Sequence, residues 1–276
     1  MNITNLKTKG FISVPYPTDV RHAVDQAQKH WEAFCALPEE IKLTFPYSNN
    51  GAGVGYEDKR SSGNSADLKE NFDLTLSDRS WLEEKAAMMN NAPVTAFINS
   101  ALKVASLISP SIVDFAGNLE SEIGIEGFKS EVAQSTNYFF IRFIHYFPNA
   151  SLNQETAEAH TDQSGMTPHL FSSASGLECL TQEMKWEPMP VSHGEMVIIP
   201  SMQLQLRSKG ALKATVHRVV ATPETASNGR YSAVCFVQFK NTPKFDKKNG
   251  RLQDLHKQEL GFNYTIEHEK FAELFS

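Results

Sequence analysis

The chain has 276 residues, of which 41% are hydrophobic and 21% charged, and its formal net charge is −6 at pH 7. That length allows one large or two small domains, and the composition is ordinary for a globular protein. The acidic balance argues against a nucleic-acid partner, which would need clustered Lys and Arg, and no uninterrupted apolar stretch reads as long enough to span a bilayer.

The N-terminus, Met1-Asn2-Ile3-Thr4-Asn5, lacks the basic-then-apolar pattern of a signal peptide. Cys35, Cys179 and Cys235 are too few and too scattered for a disulfide framework or a structural zinc site, so a reduced, cytoplasmic setting is expected. Along the chain, Val24, Ala27, Trp31, Phe34 and Cys35 recur at helical spacing until Pro38 stops the pattern. Residues 47–66, rich in Ser, Asn and Gly, read as a long loop. Val94, Phe97, Ile98, Ala101, Ala105 and Ile108 predict a second helix that ends before Pro110, with helical structure resuming over Ile112, Phe115, Ala116 and Leu119.

From about residue 136 the period changes to two. Segments 137–147, 176–181, 195–200, 214–221 and 230–239 are short, rich in β-branched and aromatic residues, and bounded by turn signals. Helices first and strands after predict a mainly β fold with flanking helices, with a two-sheet jelly roll whose mouth can hold a ligand. There is no clear linker, so residues 1–276 are read as one catalytic unit. Within it, 1–125 is a mainly helical N-terminal region, 136–245 the jelly-roll core and 246–276 a C-terminal segment.

The chemistry concentrates in "AHTDQSG", residues 159–165. On a strand, residues two apart share a face, so His160 and Asp162 can present an imidazole and a carboxylate together. Thr215-Val216-His217-Arg218-Val219 alternates as well and supplies a second histidine 55 residues further on (217 − 162). Two histidines and one carboxylate suit non-haem Fe(II), leaving positions open for co-substrate and oxygen. The plainer alternative is a polar turn and a hydrogen-bonded core histidine, since nine histidines make some pairing commonplace. Arg230-Tyr231-Ser232 adds an arginine and a serine on one strand face beside Val234 and Phe236. A guanidinium facing inward among apolar residues needs an anion, and its planar fork suits a carboxylate.

Together these motifs resemble the isopenicillin N synthase-like family of iron- and 2-oxoglutarate-dependent dioxygenases. The resemblance runs in order through His160-Thr161-Asp162, Thr167, Gly176-Leu177-Glu178, Trp186 with Pro188, Leu204-Gln205, His217-Arg218-Val219 and Arg230-Tyr231-Ser232. Upstream, Leu37-Pro38-Glu39-Glu40, Gly55-Tyr56 and Leu68-Lys69-Glu70 are similar to the family's N-terminal landmarks. It implies a double-stranded β-helix, with His160, Asp162 and His217 binding Fe(II) and with Arg230 and Ser232 binding the distal carboxylate of 2-oxoglutarate. It also implies O2 as oxidant and a small-molecule substrate that is hydroxylated or desaturated.

Several residues depart from the family pattern. The family carries a tyrosine before the proline that follows strand 137–147, and this chain has Phe147. His145, two residues back on the same face, is the expected replacement in holding 2-oxoglutarate, or Tyr146 if the strand is shifted or bulged. Ser201-Met202 replace the family's Gly-Asp, and Pro168 is unusual within a strand and points to an edge or a bulge. These departures leave two alternatives: an iron oxidase that does without 2-oxoglutarate, or a non-catalytic barrel that binds a carboxylate. Tyr56, Arg60 and His145 are further candidates for contact with the substrate, in a pocket expected to draw on residues 47–66, 137–147 and 251–276.

Overall fold

The two periodicities of the sequence sort into layers in a computed structural model, which describes residues 3–47, 53–62, 68–181, 183–240, 242, 245–246 and 251–252. The helices are α1 (Thr4–Thr8), α2 (Thr18–Cys35), α3 (Glu39–Lys42), α4 (Arg79–Met89), α5 (Ala92–Ile123), α6 (Phe128–Gln134), α7 (Met202–Arg207) and α8 (Pro223–Asn228). The strands are β1 (Ile12–Pro15), β2 (Gly55–Asp58), β3 (Lys69–Leu74), β4 (Phe140–Tyr146), β5 (Glu155–His160) and β6 (Met166–Ser172). They continue with β7 (Leu177–Leu180), β8 (Trp186–Pro188), β9 (Glu195–Pro200), β10 (His217–Val220) and β11 (Arg230–Phe236), and a short pair, β12 (Phe245–Asp246) with β13 (Arg251–Leu252). A seven-stranded sheet has the order β1-β9-β6-β11-β4-β3-β2, and a four-stranded sheet the order β5-β10-β7-β8. Together they make a double-stranded β-helix.

The large sheet has a different neighbour on each face. On one side Phe72, Ile141, Phe143, Ala233 and Cys235 join α2 and α5 in the main core, where Trp31 lies 5.9 Å from Phe143 and 5.1 Å from Phe97 between ring centroids. On the other side Ile144, Val197, Ile199 and Val234 meet Leu177, Cys179 and Val219 of the small sheet in a second core. Strand alternation alone produces this split, because successive side chains leave opposite faces.

Three sequence expectations need correction. Residues 47–66 are not simply a loop: β2 lies within them and pairs with β3, and β1, β2 and β3 all join the large sheet from the N-terminal region. The second helix does not stop at Pro110 but runs through it, from the Asn91 cap, whose side chain accepts the Val94 N–H at 3.2 Å, to Gly124. An internal proline costs ~3 kcal/mol or more, whereas burying Ile112, Phe115 and Leu119 returns ~1.5–3 kcal/mol each. Pro110 and Ser106 face solvent, so water can take the carbonyl that the proline leaves unpaired. The same helix is, by length and composition, apolar enough to cross a membrane, contrary to the sequence reading, but 56% of its apolar window is buried in this fold. Of the two readings that Pro168 offers, an edge or a bulge, the structure has the bulge, since β6 lies between β9 and β11 and its pairing with β11 is irregular. Its pairing with β11 shifts register beside the proline and stops at His169, reappearing as the isolated Met166–Val237 bridge.

On the helix face, Glu70 is 1% exposed and fully matched. Its carboxylate accepts from Lys42 Nζ at 2.6 Å and Tyr56 Oη at 2.6 Å, and lies 2.7 Å from His145 Nδ1. Burial alone would raise its pKa, but the hydrogen bonds from His145, Lys42 and Tyr56 outweigh burial and hold it at about 2. Glu70→Gln should destabilise the fold by roughly 3–5 kcal/mol in chemical denaturation, because it leaves Lys42 buried without its counter-charge. The folded-state pKa lies below the unfolded value of ~4.3, so this stability is complete above about pH 4.3 and is lost as pH falls through about 2. The gap between parent and variant should therefore narrow over that acid window, and a gap independent of pH would show that Glu70 does not act as a charge.

Candidate metal centre

β10 pairs antiparallel with β5 so that His217 stands directly opposite His160. Asp162 follows two residues after His160, in the turn towards β6. That turn is pinned by α7, where the Met202 N–H donates to Asp162 O at 2.9 Å and the Gln203 N–H to Ser164 O at 3.0 Å. Gly165 allows it to lie against Phe239, since a Cβ there would fall 2.2 Å from the ring. The two imidazole centroids are 4.4 Å apart. His160 Nε2 is 3.6 Å from Asp162 Oδ1, and His217 Nε2 is 3.9 Å from Asp162 Oδ2.

The tautomers follow from the other ring nitrogens. His160 Nδ1 lies 2.6 Å from Glu158 O and His217 Nδ1 lies 3.1 Å from Thr215 O. A carbonyl oxygen only accepts, so both Nδ1 atoms carry the proton and both Nε2 atoms present a lone pair towards Asp162. Asp162 Oδ2 is buried and has no hydrogen-bond partner. Burial would raise this carboxyl, but His217 and His160, with the Thr167 hydroxyl, bring it below the ordinary range. One ligand atom from each residue lies within 4.8 Å of the others. Two lone pairs and an orphaned carboxylate oxygen facing one another are what a divalent cation would satisfy, and the residues fit one.

The cleft beside this cluster encloses about 550 Å³, including its open mouth. Its far wall is β11, where Arg230 is 3% exposed. Arg230 Nε donates to Ala174 O at 3.2 Å and Nη1 to Ser232 Oγ at 3.3 Å. Arg142 is matched in two bonds by Asp73, at 2.8 and 2.7 Å, and Arg218 by Glu155 and Glu178. Among the described residues, Arg230 has no carboxylate. Burial depresses its pKa, opposed by Tyr146, whose ring centroid is 5.3 Å from the guanidinium carbon.

His145 is not in this cleft. β4 pairs with β3 and β11 in unbroken register, with no bulge, and it directs Arg142, Ile144 and Tyr146 to the cleft. Alternation sends His145 to the opposite face, against Glu70 and stacked on Tyr231 at 4.3 Å. Phe147 shares that side and lies 3.8 Å beneath the Arg60 guanidinium. Tyr146, directly across from Arg230, therefore stands where His145 was expected. Of the further substrate candidates, Tyr56 bonds Glu70 and Arg60 pairs with Asp58, while most of residues 251–276 lie outside the described residues. A second cluster, Cys35 with Glu70 and His145, also brings potential ligands together, but the Lys42 ammonium 2.6 Å from Glu70 repels a cation. The sequence reading also missed His169, which lines the cleft near His217, with ring centroids 5.7 Å apart. Its spacing of two from Thr167 was the available signal. Burial, followed by the neighbouring His217, pushes its pKa down to about 3 and keeps it neutral.

A double-stranded β-helix with two histidines and a carboxylate converging between its sheets defines a non-haem metal oxygenase class. Residues 134–239 match the 2OG-Fe(II) oxygenase superfamily. Over these residues the chain is similar to that superfamily, and it is an oxidoreductase of the dioxygenase type that uses Fe(II), 2-oxoglutarate and O2 to oxidise a small molecule. Among solved structures, a 2OG-Fe(II) oxygenase family protein from Caulobacter crescentus is 25% identical, with a TM-score of 0.70 over 86% of this chain and 80% of that one. A full-length Neurospora crassa protein in complex with alpha-KG shares the fold at 20% identity, with a TM-score of 0.70 over 86% of this chain and 78% of that one. The 2-oxoglutarate complex of dioxygenase for auxin oxidation 1 from Arabidopsis thaliana does so at 18% identity, with a TM-score of 0.68 over 83% of each chain. No curated protein matches the chain.

Adding Fe(II) or Mn(II) without oxygen to the metal-free protein should raise its stability, by about 2.7 kcal/mol at a hundred times Kd. His217→Ala, folded by circular dichroism, should show no such rise. Equal stabilisation of the variant would place the metal elsewhere.

Proposed function

We propose that His160, Asp162 and His217 hold the iron, and that Arg230 and Ser232 hold the distal carboxylate of 2-oxoglutarate, in a single cleft where a small organic substrate is oxidised. The observation that carries this reading is Arg230, a buried guanidinium unmatched by any described carboxylate in the same cleft as the His-Asp-His cluster. A charge buried in this way is stable when a ligand supplies the anion. When bound, iron supplies O2 activation, with 2-oxoglutarate as the two-electron reductant that leaves as succinate and carbon dioxide.

The protein's part is binding, orientation and exclusion of water. The Arg230 fork can pair both oxygens of one carboxylate, Ser232 adds a hydroxyl donor, and the Tyr146 ring packs against the guanidinium. Ile144, Leu177, Val219 and Val234 make the walls apolar, which strengthens each charged contact inside. Lys69 and Arg142 lie along the same cleft, on the side of β3 and β4. The Neurospora crassa protein has also been solved with thymine and with 5-formyluracil, which supports a small-molecule substrate here. Three free, buried cysteines support a reducing, cytoplasmic setting.

Titration of 2-oxoglutarate into the anaerobic Fe(II) protein, followed by the metal-to-ligand charge-transfer band, tests the co-substrate site. Arg230→Lys keeps the charge but loses the fork, so it should weaken 2-oxoglutarate roughly ten- to hundredfold, with iron affinity nearly intact. Ser232→Ala should weaken it less. Unchanged binding in Arg230→Lys would move the co-substrate away from this site. Iron-dependent succinate release, screened across small carboxylates, amino acids and nucleobases for stimulation, then tests the substrate class.

A further inference from the structure

The cleft contains a buried polar atom that neither the metal cluster nor the Arg230 end uses. His169 is 6% exposed, and its Nε2 is buried without a hydrogen-bond partner. A core position in a strand favours an apolar side chain unless the polar atom has something to bind. The backbone has been shaped to put it there. β6 pairs Phe171 with Ala233 but His169, not Leu170, with Val234, so Leu170 is the extra residue of a bulge. Without that bulge Leu170 would face Val234 across the cleft wall. With it, Leu170 turns into the main core and His169 lines the cleft. Bulges beside active sites commonly re-aim a side chain in this way.

The position of His169 narrows its role. Its ring lies edge-on to His217 with centroids 5.7 Å apart, and its strand partner Val234 is two residues from Ser232 and four from Arg230. It therefore stands on the wall between the His-Asp-His cluster and the arginine. The three ligand atoms of that cluster meet within 4.8 Å of one another without it, so it is not a fourth member. A neutral imidazole offers one N–H, and the natural acceptor at this end of the cleft is an anionic oxygen. The distal carboxylate already has Arg230 and Ser232 as donors.

We propose that His169 is a co-substrate-binding residue, donating a hydrogen bond to the carboxylate of 2-oxoglutarate nearer the metal. This rests on the reading that 2-oxoglutarate spans from the cluster to Arg230. The His169 side chain would then help to orient the metal-proximal end of the co-substrate.

The test uses the anaerobic Fe(II) protein, 2-oxoglutarate and the charge-transfer band, for the parent and for His169→Leu and His169→Gln. In His169→Leu, 2-oxoglutarate affinity should fall by about tenfold or more and the band maximum should shift, while Fe(II) affinity stays at the parental value. His169→Gln retains an N–H donor and should recover part of both. Parental affinity and band position in His169→Leu would overturn the proposal, as would a Gln variant no better than Leu, or loss of iron binding in either. If His169→Leu does not fold, His169→Met fills the same space without a donor and carries the same expectations. Absence of the band in the iron-loaded parent would overturn the 2-oxoglutarate site itself. A normal parental band with an unaffected Leu variant would overturn the role of His169 alone.

Discussion

A strand can give its side chains only to two opposite faces, and β4 and β11, side by side in the large sheet, use both faces for different purposes. Ile141, Phe143, Ala233 and Cys235 enter the helix-covered core, and Trp31 donates its indole N–H to Ile144 O at 3.2 Å, tying α2 to β4. Arg142, Ile144, Tyr146, Arg230, Ser232 and Val234 point the other way, into the cleft. The register between the two strands is continuous over seven pairs, from Arg230–Tyr146 to Phe236–Phe140. A slip of one residue would exchange the faces and bury the site under the helices. The helix-packed core thus fixes the register, and the register aims the site.

The two faces also treat buried polar groups in opposite ways. On the helix face, Glu70 collects bonds from Lys42, Tyr56 and His145 and is internally satisfied. On the cleft face, Asp162 Oδ2 and His169 Nε2 are buried with no hydrogen-bond partner, and Arg230 has no carboxylate among the described residues. A protein gains nothing in stability from orphaned groups of this kind. These two atoms and the Arg230 guanidinium face one cleft, a strand's thickness from the matched Glu70 network, an arrangement that a bound ligand would satisfy. Arg218 makes the same point by contrast. It adjoins His217 in sequence but faces away, where Glu155, Glu178 and the Trp186 ring hold it.

Much of the candidate site could be read from the chain because residue types able to bind a metal are few and the spacing of His160 and Asp162 is short-range. His160 and Asp162 lie two apart, and His217 sits in an alternating strand, so strand geometry alone predicts that they can converge. Arg230 and Ser232 were legible for the same reason. The helix of Val24 to Cys35 and five of the strands beyond residue 136, namely β4, β7, β9, β10 and β11, were visible as periodic runs, whereas β5, β6 and β8 were not among the segments so read. β1, β2 and β3 were not, because each is short and their pairing partners lie far along the chain. Propensity likewise ended the second helix at Pro110, whereas burial of the residues beyond the proline carries it on to Ile123.

The sequence by itself determined which chemistry is available: a His-x-Asp and a distant histidine for a metal, and an Arg-x-Ser strand for a carboxylate. Only the tertiary structure decided which face each strand turns inward. Alternation fixes that residues 145 and 147 go together and 144 and 146 go together, but not which pair meets the cleft. Packing of Phe143 against Trp31 settled that choice, sending His145 to Glu70 and Tyr146 to Arg230. The bulge that parts His169 in the cleft from Leu170 in the core is likewise a product of β6 pairing with β11; alternation puts Thr167 and His169 on one face but does not say which face meets the cleft.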